Sequence, residues 1–143
     1  MAPGCLFCRI ASGEVPAHIA YEDERFVAFL DHRPLFPGHA LLVPRQHVDT
    51  LFDAPPELLG PLAEATQRLS VAVRDAMEAD GIFNAVNNVV SQSVAHLHVH
   101  VVPRRRQDGL RGFFWPRTKY ASEEEAREVA TRILRLTKPA EGS

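Results

Sequence analysis

The chain has 143 residues, 45% of them hydrophobic and 24% charged, with a formal net charge of −2. Such a chain is expected to form one soluble domain that buries about two-thirds of its unfolded surface, and its charge balance gives no reason to expect nucleic acid as a partner. No apolar run reaches the roughly 18 residues of a membrane span, and no secretory pattern opens the chain. Two cysteines three positions apart give no disulfide framework, so cytoplasmic residence with reduced thiols is expected.

Cys5 and Cys8 are the first feature along the chain. The pair fits half a zinc site, a redox dithiol or two small buried hydrophobes, although a dithiol belongs after a strand in a βαβ setting. Residues 19–21 and 26–30 read as two strands of a hairpin turning at 22–25. The stretch 31–39 contains Pro34, Pro37 and Gly38 and must turn. Asp31 at its start is either a turn former or a carboxylate for the paired hydroxyls of a ribose. His18, His32 and His39 lie in or near turns, as surface histidines or as candidates to complete a metal site. Residues 40–43 form a short apolar strand ended by Pro44, and His47 follows just beyond it, where a ligand can be held firmly.

Leu58, Leu62, Ala65, Leu69, Val73 and Ala76 recur at helical spacing and predict a long helix over 57–79, stopped by Gly81. Pro61 sits in its first turn or costs it a hydrogen bond. Residues 82–90 and 95–103 read as two further strands, with Ser93 offering a hydroxyl and flanking amides to an anion. Between 104 and 120, Arg104, Arg105, Arg106, Arg111, Arg117 and Lys119 face one acid, Asp108, and 112–117 are apolar, aromatic and flanked by cations. Ser122 and Glu125 form a capping box for a last helix with an apolar stripe of Ala126, Val129, Ala130, Ile133 and Leu134, and 139–143 read as a frayed end. Helices separated by antiparallel strands predict an α+β domain.

His96, His98 and His100 alternate with Leu97, Val99 and Val101. On an extended strand the three imidazoles share one face and the apolar residues point into a core. Three readings are open: a metal centre built from all three, a nucleophilic histidine helped by its neighbours, or a solvated polar face of an edge strand. Residues two apart on a strand are separated by about 6.5–7 Å, which is wide for three ligands meeting one ion at about 2 Å each.

These residues resemble the histidine triad (HIT) family of nucleotide hydrolases and transferases. The signature His-φ-His-φ-His-φ-φ, with φ apolar, matches residues 96–102 throughout. The resemblance also takes in Cys5-Leu6-Phe7-Cys8-Arg9-Ile10, Gly13-Glu14-Val15-Pro16-Ala17, Tyr21-Glu22-Asp23-Glu24, Gly38-His39, Val43-Pro44-Arg45-Gln46-His47 and Gln92-Ser93-Val94, and so spans residues 4–105. It implies an α+β, HIT-like fold: an antiparallel sheet of about five strands with a long helix and a C-terminal helix, residues 1–143 forming one domain in which 104–143 are a divergent extension. It also implies a homodimer with a continuous sheet.

Chemically, the resemblance implies attack by His98 on the α-phosphate of a purine nucleotide derivative: a nucleoside phosphoramidate, an acyl-adenylate or a dinucleoside polyphosphate. A covalent nucleotidyl-histidine then passes to water or another acceptor. His100 and Ser93 would contact the phosphate, Asn87 would reach toward it or the leaving group, and Gln92 would share the nucleotide site. Asp31 would hold the ribose, and Leu6, Phe7, Ile10 and Phe29 would line an apolar slot for the base. The other ring nitrogen of His98 would be fixed by a backbone carbonyl of the triad strand. Cys5, Cys8, His47 and His96 fill the places of a zinc-binding, bacterial-type member, and four protein ligands make that zinc structural. One departure is the loop Asn87-Asn88-Val89-Val90-Ser91-Gln92, which is shorter than the family's and lacks its glycine. That departure motivates the alternative of a nucleotide-binding or scaffold HIT protein with little turnover.

Overall fold

Among the described residues, short apolar runs punctuated by Pro, Gly and Asp become five strands: β1 (Ile19–Glu22), β2 (Phe26–Leu30), β3 (Ala40–Pro44), β4 (Gly81–Ala85) and β5 (Val99–Arg104). They form one antiparallel sheet in the order β1-β2-β3-β5-β4. The structure, a computed structural model, describes residues 2–111 and 116–137. The chain divides into two compact units between Asp108 and Gly109, and the sheet belongs to the first. Among the described residues, no helix is long and apolar enough to cross a membrane.

The pleat sorts side chains to two apolar layers. Phe26, Ala28, Leu42, Leu97, Val99 and Val101 pack on one face against Leu58, Leu62, Ala65, Leu69 and Val73 of α2 (Pro56–Ala76). Val27, Phe29, Leu41 and Val43 face the other way and pack against Phe7 and Ile10, which belong to α1 (Leu6–Ala11). The alternation expected of the triad strand is therefore present, with Leu97, Val99 and Val101 buried under α2. The expected hairpin turns on Asp23, whose Oδ1 accepts from the amides of Arg25 and Phe26 at 2.8 and 2.7 Å.

Four boundaries differ from the sequence reading. First, α2 is not stopped by Gly81, which instead opens β4. Glu78 takes the left-handed conformation (φ 50°), and the Ala79 amide closes the helix on the Arg74 carbonyl at 2.9 Å. Second, β4 ends at Ala85 rather than near 90, its last pair being with His100 of β5, and Val89 (φ 75°) and Ser91 (φ 64°) take left-handed backbone in the loop that follows. Third, β5 begins at Val99, since its ladder with β3 spans only Ala40 to Leu42, and Leu97 donates instead to the Val48 carbonyl at 2.8 Å. Fourth, α1 and a 3-10 turn at Leu51–Asp53 were not anticipated, being too short to carry a period.

Pro61 lies inside α2 and leaves the Glu57 carbonyl without a helical donor; Arg25 Nη2 donates to it at 3.4 Å. In the second unit, α3 (Glu123–Thr137) starts from the expected cap, with the Glu125 amide donating to Ser122 Oγ at 3.1 Å. Residues 112–115, with Trp115, and 138–143 lie outside the described residues, as do the expectations placed on the aromatic segment's centre and on the frayed end.

Candidate functional site

Three separate elements bring Cys5, Cys8, His47 and His96 together. Cys5 caps α1, its Sγ accepting from the Cys8 amide at 3.4 Å, His47 follows β3, and His96 precedes β5. His96 Nδ1 lies 3.3 Å from Cys5 Sγ, 3.5 Å from Cys8 Sγ and 3.2 Å from His47 Nδ1, and Cys8 Sγ is 3.3 Å from His47 Nδ1. Both imidazoles turn their outer nitrogens to acceptors: His96 Nε2 donates to the Pro44 carbonyl at 2.8 Å and His47 Nε2 to Asp49 Oδ1 at 2.8 Å. Both Nδ1 atoms of the neutral rings therefore carry lone pairs aimed at one point, and neither can donate to the other. A tetrahedral ion with bonds of about 2.0–2.1 Å to nitrogen and 2.3 Å to sulfur would set N–N and S–N edges of about 3.3 and 3.6 Å. The donor set and its spacing fit a metal ion, and the outer hydrogen bonds fix the ring orientations such a site needs. Burial lowers the His96 pKa and raises that of Cys5; the first favours the neutral ligand form, and a bound cation would oppose the second.

A cavity of about 550 Å³ lies beside this cluster. Its wall includes the expected Leu6, Phe7, Ile10 and Phe29 on the apolar side, and Asp31, Ser93, His98 and His100 on the polar side. His98 Nδ1 donates to the His96 carbonyl at 2.8 Å, so its Nε2 holds the lone pair. Phe7 stands edge-on to the ring, with centroids 5.1 Å apart. Asp31 divides its carboxylate: Oδ1 accepts the Arg33 amide at 2.9 Å, as a turn former does, and Oδ2 lies 3.7 Å from His39 Nε2. The triad is not a three-imidazole metal cage, because His96 turns to the cysteines, His98 to a carbonyl and His100 to His39.

One expectation is corrected here. His39 is not a surface histidine: it is 3% exposed, while His18 and His32 are exposed at the cavity wall. Its Nδ1 accepts the Leu35 amide at 3.1 Å and its Nε2 lies 2.9 Å from His100 Nδ1. Asp31, His39 and His100 have the spacing of a second cation site, but an Nδ1 that accepts an amide leaves the proton on Nε2, so His39 has no lone pair for an ion there. Burial lowers the His39 pKa, and burial with the nearby His98 and His39 brings His100 to about 4. Asn87 and Gln92, expected at the nucleotide, stand outside the residues that line the cavity. Asn87 Nδ2 donates to the Ser91 carbonyl at 3.3 Å, and Gln92 bridges the Val89 amide and the Asp49 carbonyl. Their amides hold the loop that carries Ser93.

The chain matches the HIT domain family over residues 12–107. It belongs to the HIT family. Among relatives of this HIT protein, an uncharacterised HIT-like protein of Mycobacterium tuberculosis is 39% identical over 136 residues, covering 92% of this chain and 90% of that one. The crystal structure of a HIT family member from Bacillus subtilis superposes with a TM-score of 0.86 at 29% identity, covering 96% of this chain and 99% of that chain. A Zn-bound histidine triad family protein from Mycobacterium smegmatis is 40% identical, with a TM-score of 0.71 and coverage of 93% and 95%. The α+β architecture, with its five antiparallel strands, long α2 and C-terminal α3, is that of a HIT-like fold. The histidine triad of this nucleotide-binding family is present in full, with Cys5, Cys8, His47 and His96 grouped closely enough to hold a metal.

Proposed function

We propose that this HIT protein is a nucleotidyl hydrolase or transferase that forms a covalent bond between His98 and the α-phosphorus of a purine nucleotide derivative. The observation carrying this reading is the His98 Nδ1 hydrogen bond to the His96 carbonyl, which leaves Nε2 as a neutral nucleophile in a cavity with an apolar slot. The Nε2 lone pair attacks phosphorus, the bond to the leaving group breaks and that electron pair departs with it. Water or another acceptor then takes the nucleotidyl group and restores the imidazole. Leu6, Phe7, Ile10 and Phe29 sandwich the base, Asp31 Oδ2 accepts from the ribose, and Ser93 and His100 donate to the non-bridging oxygens. Phosphoramidates, acyl-adenylates and dinucleoside polyphosphates all present that phosphorus.

Zinc is the metal proposed for Cys5, Cys8, His47 and His96, on the tetrahedral spacing of their donor atoms and the zinc in the Mycobacterium smegmatis relative. With four protein ligands it supplies structure and leaves no position for substrate. We further propose that residues 1–143 act as one functional domain with 104–143 as a divergent extension, that two copies pair through the edge strand β4, and that the protein works in the cytoplasm, where such thiols stay reduced.

The test is His98→Ala assayed on an adenosine phosphoramidate and a diadenosine polyphosphate. Loss of turnover by about 10³-fold or more is expected for removal of a nucleophile; full retained activity on both overturns the proposal. A second reading, a nucleotide binder with little turnover, is favoured by the glycine-free loop, where β-branched Val89 is held at φ 75° four residues before Ser93. Calorimetry with a nucleoside monophosphate separates the two: tight binding without turnover on the same substrates selects the binder.

A further inference from the structure

We propose that His39 is a positioning residue that fixes His100 as the neutral Nε2–H tautomer and so makes it a hydrogen-bond donor into the cavity. The proposal rests on the nucleotidyl-transfer reading for its catalytic consequence but not for its geometry.

The direction of the chain of hydrogen bonds follows from its first member. A backbone amide can only donate, so Leu35 N–H at 3.1 Å makes His39 Nδ1 an acceptor. A neutral imidazole with Nδ1 accepting carries its proton on Nε2. That proton points at His100 Nδ1, which lies 2.9 Å from His39 Nε2, while Asp31 Oδ2 lies 3.7 Å from His39 Nε2. His100 Nδ1 is thereby an acceptor, and the His100 proton sits on Nε2. A second proton on His100 would have to enter at Nδ1, against the His39 proton already there, so the clamp opposes the imidazolium. The titratable groups facing His100 are His98 on β5, His39 ahead of β3 and Asp31 after β2. Burial and the two imidazoles disfavour its charged form, and Asp31 alone favours it.

The backbone is shaped for this contact. Gly38, at φ 97°, lets the chain double back so that His39 enters the interior, and a Cβ there would lie 2.6 Å from Met77 Cγ. Leu41 of β3 is in register with His100 of β5, which sets the approach of the His39 ring to its partner.

Two substitutions separate the two ends of the His39 ring. Asn at 39 keeps an acceptor near the Nδ1 position for the Leu35 amide and loses the donor to His100. Gln at 39 keeps a donor at the reach of Nε2. The primary readout is the ¹⁵N spectrum of the imidazoles, which reports tautomers without any nucleotide. Wild type is expected to show His100 protonated on Nε2 and bare on Nδ1 at pH 6–8. His39→Asn should let His100 take a second proton on mild acidification, raise the acid limb of kcat by about one pH unit, and lower kcat by up to about 10²-fold with KM little changed. His39→Gln should restore both the tautomer and most of kcat. Wild-type His100 protonated on Nδ1, or a His39→Asn protein with wild-type His100 shifts and pH profile, overturns the proposal. Should the tautomers behave as stated while wild type turns over no nucleotide derivative, the positioning by His39 stands and the nucleotidyl-transfer reading fails.

Discussion

At the scale of single residues, imidazole position and imidazole state are set by different parts of the chain. His96, His98 and His100 are neighbours in sequence, yet their rings are held by different partners: His96 by the distant Pro44 carbonyl, His98 by the His96 carbonyl two residues before it, and His100 by the distant His39. The alternation of the triad made the first part legible, because a strand period of two is fixed by covalent geometry. The metal cluster was legible only through the resemblance to the family, since the Cys5 and Cys8 spacing by itself also fits a redox dithiol or two buried hydrophobes. His39 was not legible, because a histidine near a turn carries no signal of burial until the strand register places it under another ring. Asn87 and Gln92 were ambiguous because an amide reads the same whether it will hold a ligand or a loop.

One consequence at this scale concerns acid stability. The folded-state pKa of His100, about 4, lies below its ordinary 6.5, so between those values the unfolded chain binds more protons than the folded one. Stability linked to His100 is fully present above pH 6.5 and is lost as pH falls toward 4, by up to about 3 kcal/mol. Burial shifts His39 in the same direction. Urea unfolding at pH 7.5 and pH 5 is expected to show a drop in wild type that is smaller in His100→Gln. Equal drops in the two proteins would contradict the assignment.

At the scale of elements, α1 is the least self-sufficient part of the first unit. Six residues are too few to hold a helix by local bonds, since isolated helices below about 12 residues are marginal in water. What fixes it is burial of Phe7 and Ile10 on the sheet and the convergence of Cys5 and Cys8 on His47 and His96. Yet α1 also supplies Leu6, Phe7 and Ile10 to the cavity wall. Treatment of the zinc-loaded protein with a strong chelator is therefore expected to raise amide exchange across Leu6–Ala11 and weaken binding of a nucleoside monophosphate, while α2, buried along Leu58, Leu62, Leu69 and Val73, keeps its protection. Unchanged exchange in α1 would separate the cluster from the cavity. Strands and long helices were readable because their periods run over many residues. Their ends were not: Glu78, just past α2, adopts left-handed backbone without the glycine that usually marks it.

At the scale of the whole molecule, the sheet order leaves β4 at one edge, unpaired along its outer side among the described residues. Pairing of that edge with a second copy is the basis of the proposed dimer, which sedimentation equilibrium at micromolar concentration is expected to report as twice the chain mass; a monomer there would contradict it. Fold class followed from the order of elements alone, because alternating antiparallel strands and helices admit few arrangements. The relation between substrate and function is of another kind, since one fold hosts many reactions and only the site discriminates.

The central claim is that His98 forms the bond to phosphorus. Its most direct test is mass spectrometry of protein quenched during turnover of an adenosine phosphoramidate or a diadenosine polyphosphate. A nucleotidyl adduct on the peptide bearing His98, absent from His98→Ala, is predicted. Steady turnover with no adduct, or an adduct that persists in His98→Ala, would contradict the account.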